Sequence, residues 1–136
     1  MTNSSATVLT LLILWALLLL AVMELLRARL VLSGAVAGPE FKPDNANLSP
    51  FMQRLARAQS NCVEGLPLFG GLLLVALVSH RSAVTDGLTP WLLAARLVQS
   101  CAHLASLSVV AVNARFAAFV VQLVIAFYWC WALLVT

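Results

Sequence analysis

Between Thr7 and Met23 the chain carries no charged side chain and is dominated by leucine. A helix needs about 20 apolar residues, and no fewer than about 17, to cross a hydrocarbon core ~30 Å thick. This stretch meets that limit, and the rest of the chain is built in the same way. Of 136 residues, 62% are hydrophobic and 10% charged, whereas soluble domains are roughly half apolar. Eight basic and five acidic side chains are too few to cover the surface that a soluble fold of this size leaves exposed. Disorder, a disulfide scaffold and nucleic-acid binding are excluded by the same inventory, since the net charge of +3 has no basic run behind it. The expected class is an all-α integral membrane protein.

Four membrane helices are expected, over about 7–32, 50–79, 88–112 and 115–135, with a loop over 33–48, forming one domain across 1–136. The second helix starts well before its apolar block, because Ser49 followed by Pro50 reads as an N-cap with proline in the first turn. Pro67 in its interior predicts a kink that neighbouring groups in a bundle tolerate. Gly70 and Gly71 would admit a close helix neighbour. A cleavable leader is disfavoured: Met1 to Ala6 has no basic residue, and the small residues Ala35 and Ala37 lie far beyond the apolar run. Cys62, Cys101 and Cys130 show neither CxxC nor Cys/His spacing, so neither a disulfide frame nor a metal site is expected.

Charge position orients the chain. Arg27, Arg29, Lys42, Arg54 and Arg57 face only Glu40 and Asp44 in their stretch, so the whole net charge lies there. The positive-inside rule then places the first loop, and a third loop ending at Arg115, in the cytoplasm, with both termini on the other side.

Charges left within spans are costly and usually functional. Arg54, Arg57, Asn61 and Glu64 recur every three to four residues on the second helix, and Arg96, Gln99, Ser100 and His103 do so on the third. Each set forms one stripe. A buried ion pair of Glu64 with Arg57 or Arg96 would be a purely structural use. The surplus of arginines around one acid instead suits an anionic ligand, since guanidinium grips carboxylates through paired hydrogen bonds and keeps its charge. His103 is open to two readings, a proton carrier or a packing residue.

Arg57-Ala58-Gln59, Asn61-Cys62, Glu64 and Pro67-Leu68-Phe69 together resemble the second-helix signature of the MAPEG superfamily, membrane-associated proteins of eicosanoid and glutathione metabolism, in the register of its leukotriene synthase branch. The resemblance extends to four spans, a basic first loop, Arg96 in the third helix and Asn113 with Arg115 opening the fourth. It implies a homotrimer in the bacterial inner membrane or the endoplasmic reticulum, with glutathione bound between protomers near the cytoplasmic face. By position it implies that Arg57, Gln59, Asn61, Glu64 and Arg96 hold the tripeptide, with Arg27 or Arg29 reaching a carboxylate. Arg115 takes the place of the arginine that stabilises the thiolate. Lipid or another hydrophobic electrophile would be the second substrate.

Two positions depart from that pattern. His103 stands where the eicosanoid synthases usually have tyrosine, and Phe116, after Arg115, has no hydroxyl. They keep a second reading open, a non-catalytic lipid-binding or scaffold protein on the same fold. A small proton-coupled transporter working through Glu64 is a third, though its mark would be an acid without arginine neighbours.

Overall fold

The computed structural model describes residues 3–135. Its elements are α1 (Ser4–Leu32), a 3₁₀ turn (Gly38–Glu40), α2 (Pro50–Val78), a single-turn α3 (Ala83–Asp86), α4 (Thr89–Ala105) and α5 (Val109–Val135). α1, α2 and α5 are each long and apolar enough to span a bilayer. α4 has 17 residues, about 25 Å at 1.5 Å per residue.

Capping side chains account for the helix starts. Asn3 accepts a hydrogen bond from the Ala6 amide, and Ser49 one from the Met52 amide at 3.3 Å. Both satisfy amides that have no partner in the first turn. α2 then continues through Pro67 without interruption. Gly70 lies under α1, where a Cβ would meet Leu9 Cδ1 at 3.0 Å, while the space beside Gly71 is open. The expected close approach therefore rests on Gly70 alone.

The third and fourth helices differ from expectation. The apolar run that suggested a helix over 88–112 is cut at Ala105, and α5 begins at Val109, ahead of the expected 115–135. The cause is a Ser-Leu-Ser turn. Ser106 is fully extended, its hydroxyl accepts from the Ser108 amide at 2.8 Å, and the Ser108 hydroxyl accepts from the Ala111 amide at 3.2 Å. Serine side chains here compete with the helix ladder and restart it. Arg115 therefore lies inside α5 and does not end a loop.

The chain runs up and down through the bundle. At one end, Ser5 donates through its amide and hydroxyl to Asp86 Oδ1 at 2.9 and 2.6 Å, and Arg81 donates to the Ala132 and Leu133 carbonyls at the end of α5. At the other end, Arg54 Nε closes α4 through the Leu104 carbonyl at 3.0 Å. Two apolar clusters fill the interior. One joins Leu19 and Met23 of α1 to Met52, Leu55 and Ala58 of α2; the other joins Val8, Leu12, Phe69, Leu73, Leu92, Ile125 and Trp129 from all four long helices.

The outside is apolar: Leu25, Phe127, Trp91 and Leu134 are 71%, 72%, 66% and 86% exposed. α4 is inverted relative to a soluble amphipathic helix, burying Arg96, Gln99, Ser100 and His103 while presenting Trp91 and Val98 outward. Such an arrangement is stable when hydrocarbon surrounds it. The protein is a multi-pass integral membrane protein.

Candidate functional site

The polar side chains of α4 form a layer between the two apolar clusters. Ser100 accepts from Trp15 Nε1 at 3.0 Å and pairs with Cys62 Sγ at 3.2 Å. Gln99 Oε1 accepts from Gln122 Nε2 at 2.7 Å. Gln122, a polar residue deep in the apolar run of α5, is fully buried and has no partner for its Oε1. Its isolation in that run is the sequence signal that reveals it, and the stripe reading of α2 and α4 passed it by.

Arg96 turns into the bundle and is 4% exposed. Its NH1 donates to Asn61 Oδ1 at 2.6 Å and to the Asn61 carbonyl at 3.3 Å, and its guanidinium lies 5.4 Å from the centre of the Phe69 ring. A cavity of about 10 Å³ beside it is lined by Cys62, Gly65, Phe69, Leu92 and Gln122. Among the described residues, its guanidinium donates to Asn61 and not to Glu64. Both buried ion pairs considered for Glu64 are absent among the described residues, where the ion pair found is Arg27 with Glu24 at 3.1 Å.

Asn61, half-buried, marks the inner edge of a groove of about 310 Å³ between α2, α4 and α5. Gln99, His103 and Arg115 line it with Val112, Phe116 and Phe119. Arg115 NH1 meets His103 Nδ1 at 3.1 Å across its α4 wall. The lining mixes polar and cationic groups with aromatic ones, α5 contributing Arg115 as well as Phe116 and Phe119.

The other expected residues lie outside this groove. Arg57 is exposed and opens onto a separate cleft of about 190 Å³ with Asp44, Gln53 and Ser60. Glu64 is exposed on the outer face of α2 beside Val63, and Gln59 is half-buried. Arg29 is exposed at the edge of a hollow of about 430 Å³ formed with Leu26, Leu30, Phe51 and Met52. Among the described residues, the side chains of Arg29, Arg57, Gln59 and Glu64 have no hydrogen bond or ion pair.

Arg27 behaves differently from Arg29. Its Nε and NH2 donate to Asn45 Oδ1 at 3.1 and 2.6 Å and its NH2 to the Lys42 carbonyl at 3.1 Å, while Asn45 Nδ2 donates to the Met52 carbonyl at 2.7 Å. Asn45 is buried and left-handed, with φ 55°, a conformation asparagine tolerates better than most residues. Arg27 thus fastens the first loop, whereas Arg29 is free.

The sequence profile of the MAPEG family matches residues 5–135, nearly the whole chain. The chain belongs to the MAPEG family. No curated protein and no solved structure matches it. MAPEG proteins are four-helix membrane bundles, most of them glutathione-dependent enzymes. The α2 signature of this MAPEG chain supplies Asn61 to the groove and leaves Arg57 and Glu64 unpartnered on one outward face.

Proposed function

We propose that this MAPEG protein is a glutathione-dependent transferase or peroxidase acting on hydrophobic electrophiles that arrive from the bilayer. The observation that carries the reading is the groove lined by Asn61, Gln99, His103 and Arg115 together with Phe116 and Phe119. It offers hydrogen-bonding and cationic groups to a peptide thiol and aromatic surface to an apolar second substrate.

Arg115 acts on the sulfur. A guanidinium close to a thiol favours the thiolate, which is the nucleophile. In conjugation the thiol proton passes to solvent, sulfur forms a bond to the electrophilic carbon, and the leaving group departs with its electron pair. Glutathione carries two carboxylates and one ammonium. Arg57 and Arg29 suit the first and Glu64 the second, and all three are unpaired in the isolated protomer. Arg96 orients Asn61 from behind and does not touch the ligand. Since Arg29, Arg57 and Arg115 lie around separate hollows of one chain and Glu64 is exposed on α2, a homotrimer that sets the α2 face of one protomer beside its neighbour completes the site.

The test is a glutathione titration of the detergent-solubilised protein, followed by thermal shift, with oligomeric mass and conjugation of a generic electrophile measured alongside. A trimer that binds and turns over glutathione is expected; neither a shift nor turnover sinks the proposal. Arg115→Ala should lower kcat more than affinity, and Glu64→Ala affinity first. Equal losses in both variants would refute the assigned roles.

A non-catalytic lipid-binding role is favoured by a different feature, an apolar groove of about 420 Å³ between α2 and α5 lined by Pro67, Leu68, Leu72, Val75, Leu123 and Phe127. Glutathione bound without turnover, with lipid retained through purification, is its expected mark.

A further inference from the structure

His103 belongs to the last turn of α4 and Arg115 to the second turn of α5, and the Ser106–Ser108 turn folds one against the other. Their contact is chemically one-sided. A guanidinium has five N–H donors and no acceptor, so the imidazole nitrogen 3.1 Å from Arg115 NH1 must offer a lone pair. That nitrogen is Nδ1, which leaves the ring proton on Nε2. The ring is 8% exposed, so packing limits its rotation.

We propose that His103 is a positioning residue for Arg115, holding the guanidinium at the groove through the Nδ1 lone pair of its neutral, Nε2-protonated ring. The inference rests on the proposed role of Arg115 toward the glutathione thiol and adds how that arginine is aimed. A carboxylate at position 103 would hold Arg115 more strongly, but would cancel much of the positive charge that the sulfur needs. A neutral acceptor orients the guanidinium and leaves its full charge and its remaining donors for an anion. Among the described residues, the Arg115 side chain makes this one hydrogen bond.

Three substitutions in the full-length, solubilised protein separate this role from packing. Asparagine puts a carbonyl oxygen, Oδ1, where Nδ1 stands; glutamine puts its oxygen one bond farther out; phenylalanine keeps a ring and has no acceptor. His103→Phe and His103→Gln should lower kcat about ten- to a hundredfold, the scale of a displaced catalytic group, with glutathione affinity within about twofold. His103→Asn should recover most of kcat. Rescue by glutamine and not asparagine, or a wild-type kcat in His103→Phe, overturns the proposal. Imidazole nitrogen NMR reads the pair without turnover. A proton on Nε2 and an Nδ1 resonance that moves on Arg115→Ala are expected; a proton on Nδ1 overturns the proposal. Wild-type protein that lacks glutathione turnover would refute the proposed activity, and the NMR result would still decide whether His103 holds Arg115.

Discussion

The guanidinium of Arg96 occupies the space where a side chain on Gly65 would begin. A Cβ there would overlap Arg96 NH2 and crowd Phe69 Cε2 at 3.2 Å. The arginine cannot step aside cheaply, since Asn61 holds its NH1 at 2.6 Å and the Phe69 ring lies against it. Absence of a side chain at position 65 is what lets a cation enter the bundle and hold the residue at the edge of the groove.

Gly65→Ala should therefore cost about 1–3 kcal/mol, the range for overpacking a filled interior, read from unfolding of the solubilised protein. In an Arg96→Met background the same change should cost less, because the overlap is gone. A pair of costs that simply add would mean that the two residues do not compete for this space.

The spans and the class of protein were legible because hydropathy acts over lengths that small errors do not disturb. The Ser49-Pro50 start of α2 was legible because capping chemistry is local. The end of α4 was hidden for a related reason: Leu107, Val109 and Val110 keep the run apolar, so the Ser106–Ser108 turn reads as tolerated polarity inside one helix. Stripe spacing put Arg57, Asn61 and Glu64 together on α2, but spacing has no sign, and of the three only Asn61 lines the groove. It could not tell that Arg96 points inward while Arg57 and Glu64 face out. Arg27 and Arg29 are adjacent in pattern, and only the return of Asn45 under α1 separates them.

Gln99 and Gln122 form a buried amide pair at 2.7 Å. Gln122→Leu removes a donor and leaves Gln99 Oε1 unsatisfied, which should cost about 1–3 kcal/mol. Replacing both by leucine removes both polar groups, so the double variant should be more stable than the sum of the single changes implies. Strict additivity in an unfolding titration would show that the pair is not coupled.

Arg27 and Arg29 should separate cleanly. Arg27→Ala releases Asn45 and the Lys42 carbonyl, so hydrogen exchange and protease cleavage should rise across residues 38–48. Arg29→Ala removes no contact within the protomer and should leave that protection unchanged while weakening glutathione binding about tenfold, or ~1.4 kcal/mol. Loss of loop protection in both variants, or unchanged affinity in Arg29→Ala, would contradict the division of roles.

Glu64 stands exposed on α2, one helical turn from the half-buried Asn61. If its carboxylate meets the ammonium of glutathione, the loss on Glu64→Gln must depend on that ammonium. Affinity for glutathione should fall about tenfold, the scale of a lost charge-assisted contact. A glutathione analogue lacking the amino group should bind the wild type weakly and Glu64→Gln no worse. Calorimetric titration of both ligands against both proteins gives the coupling directly. Equal losses for the two ligands would mean that Glu64 shapes the α2 face and never touches the ammonium.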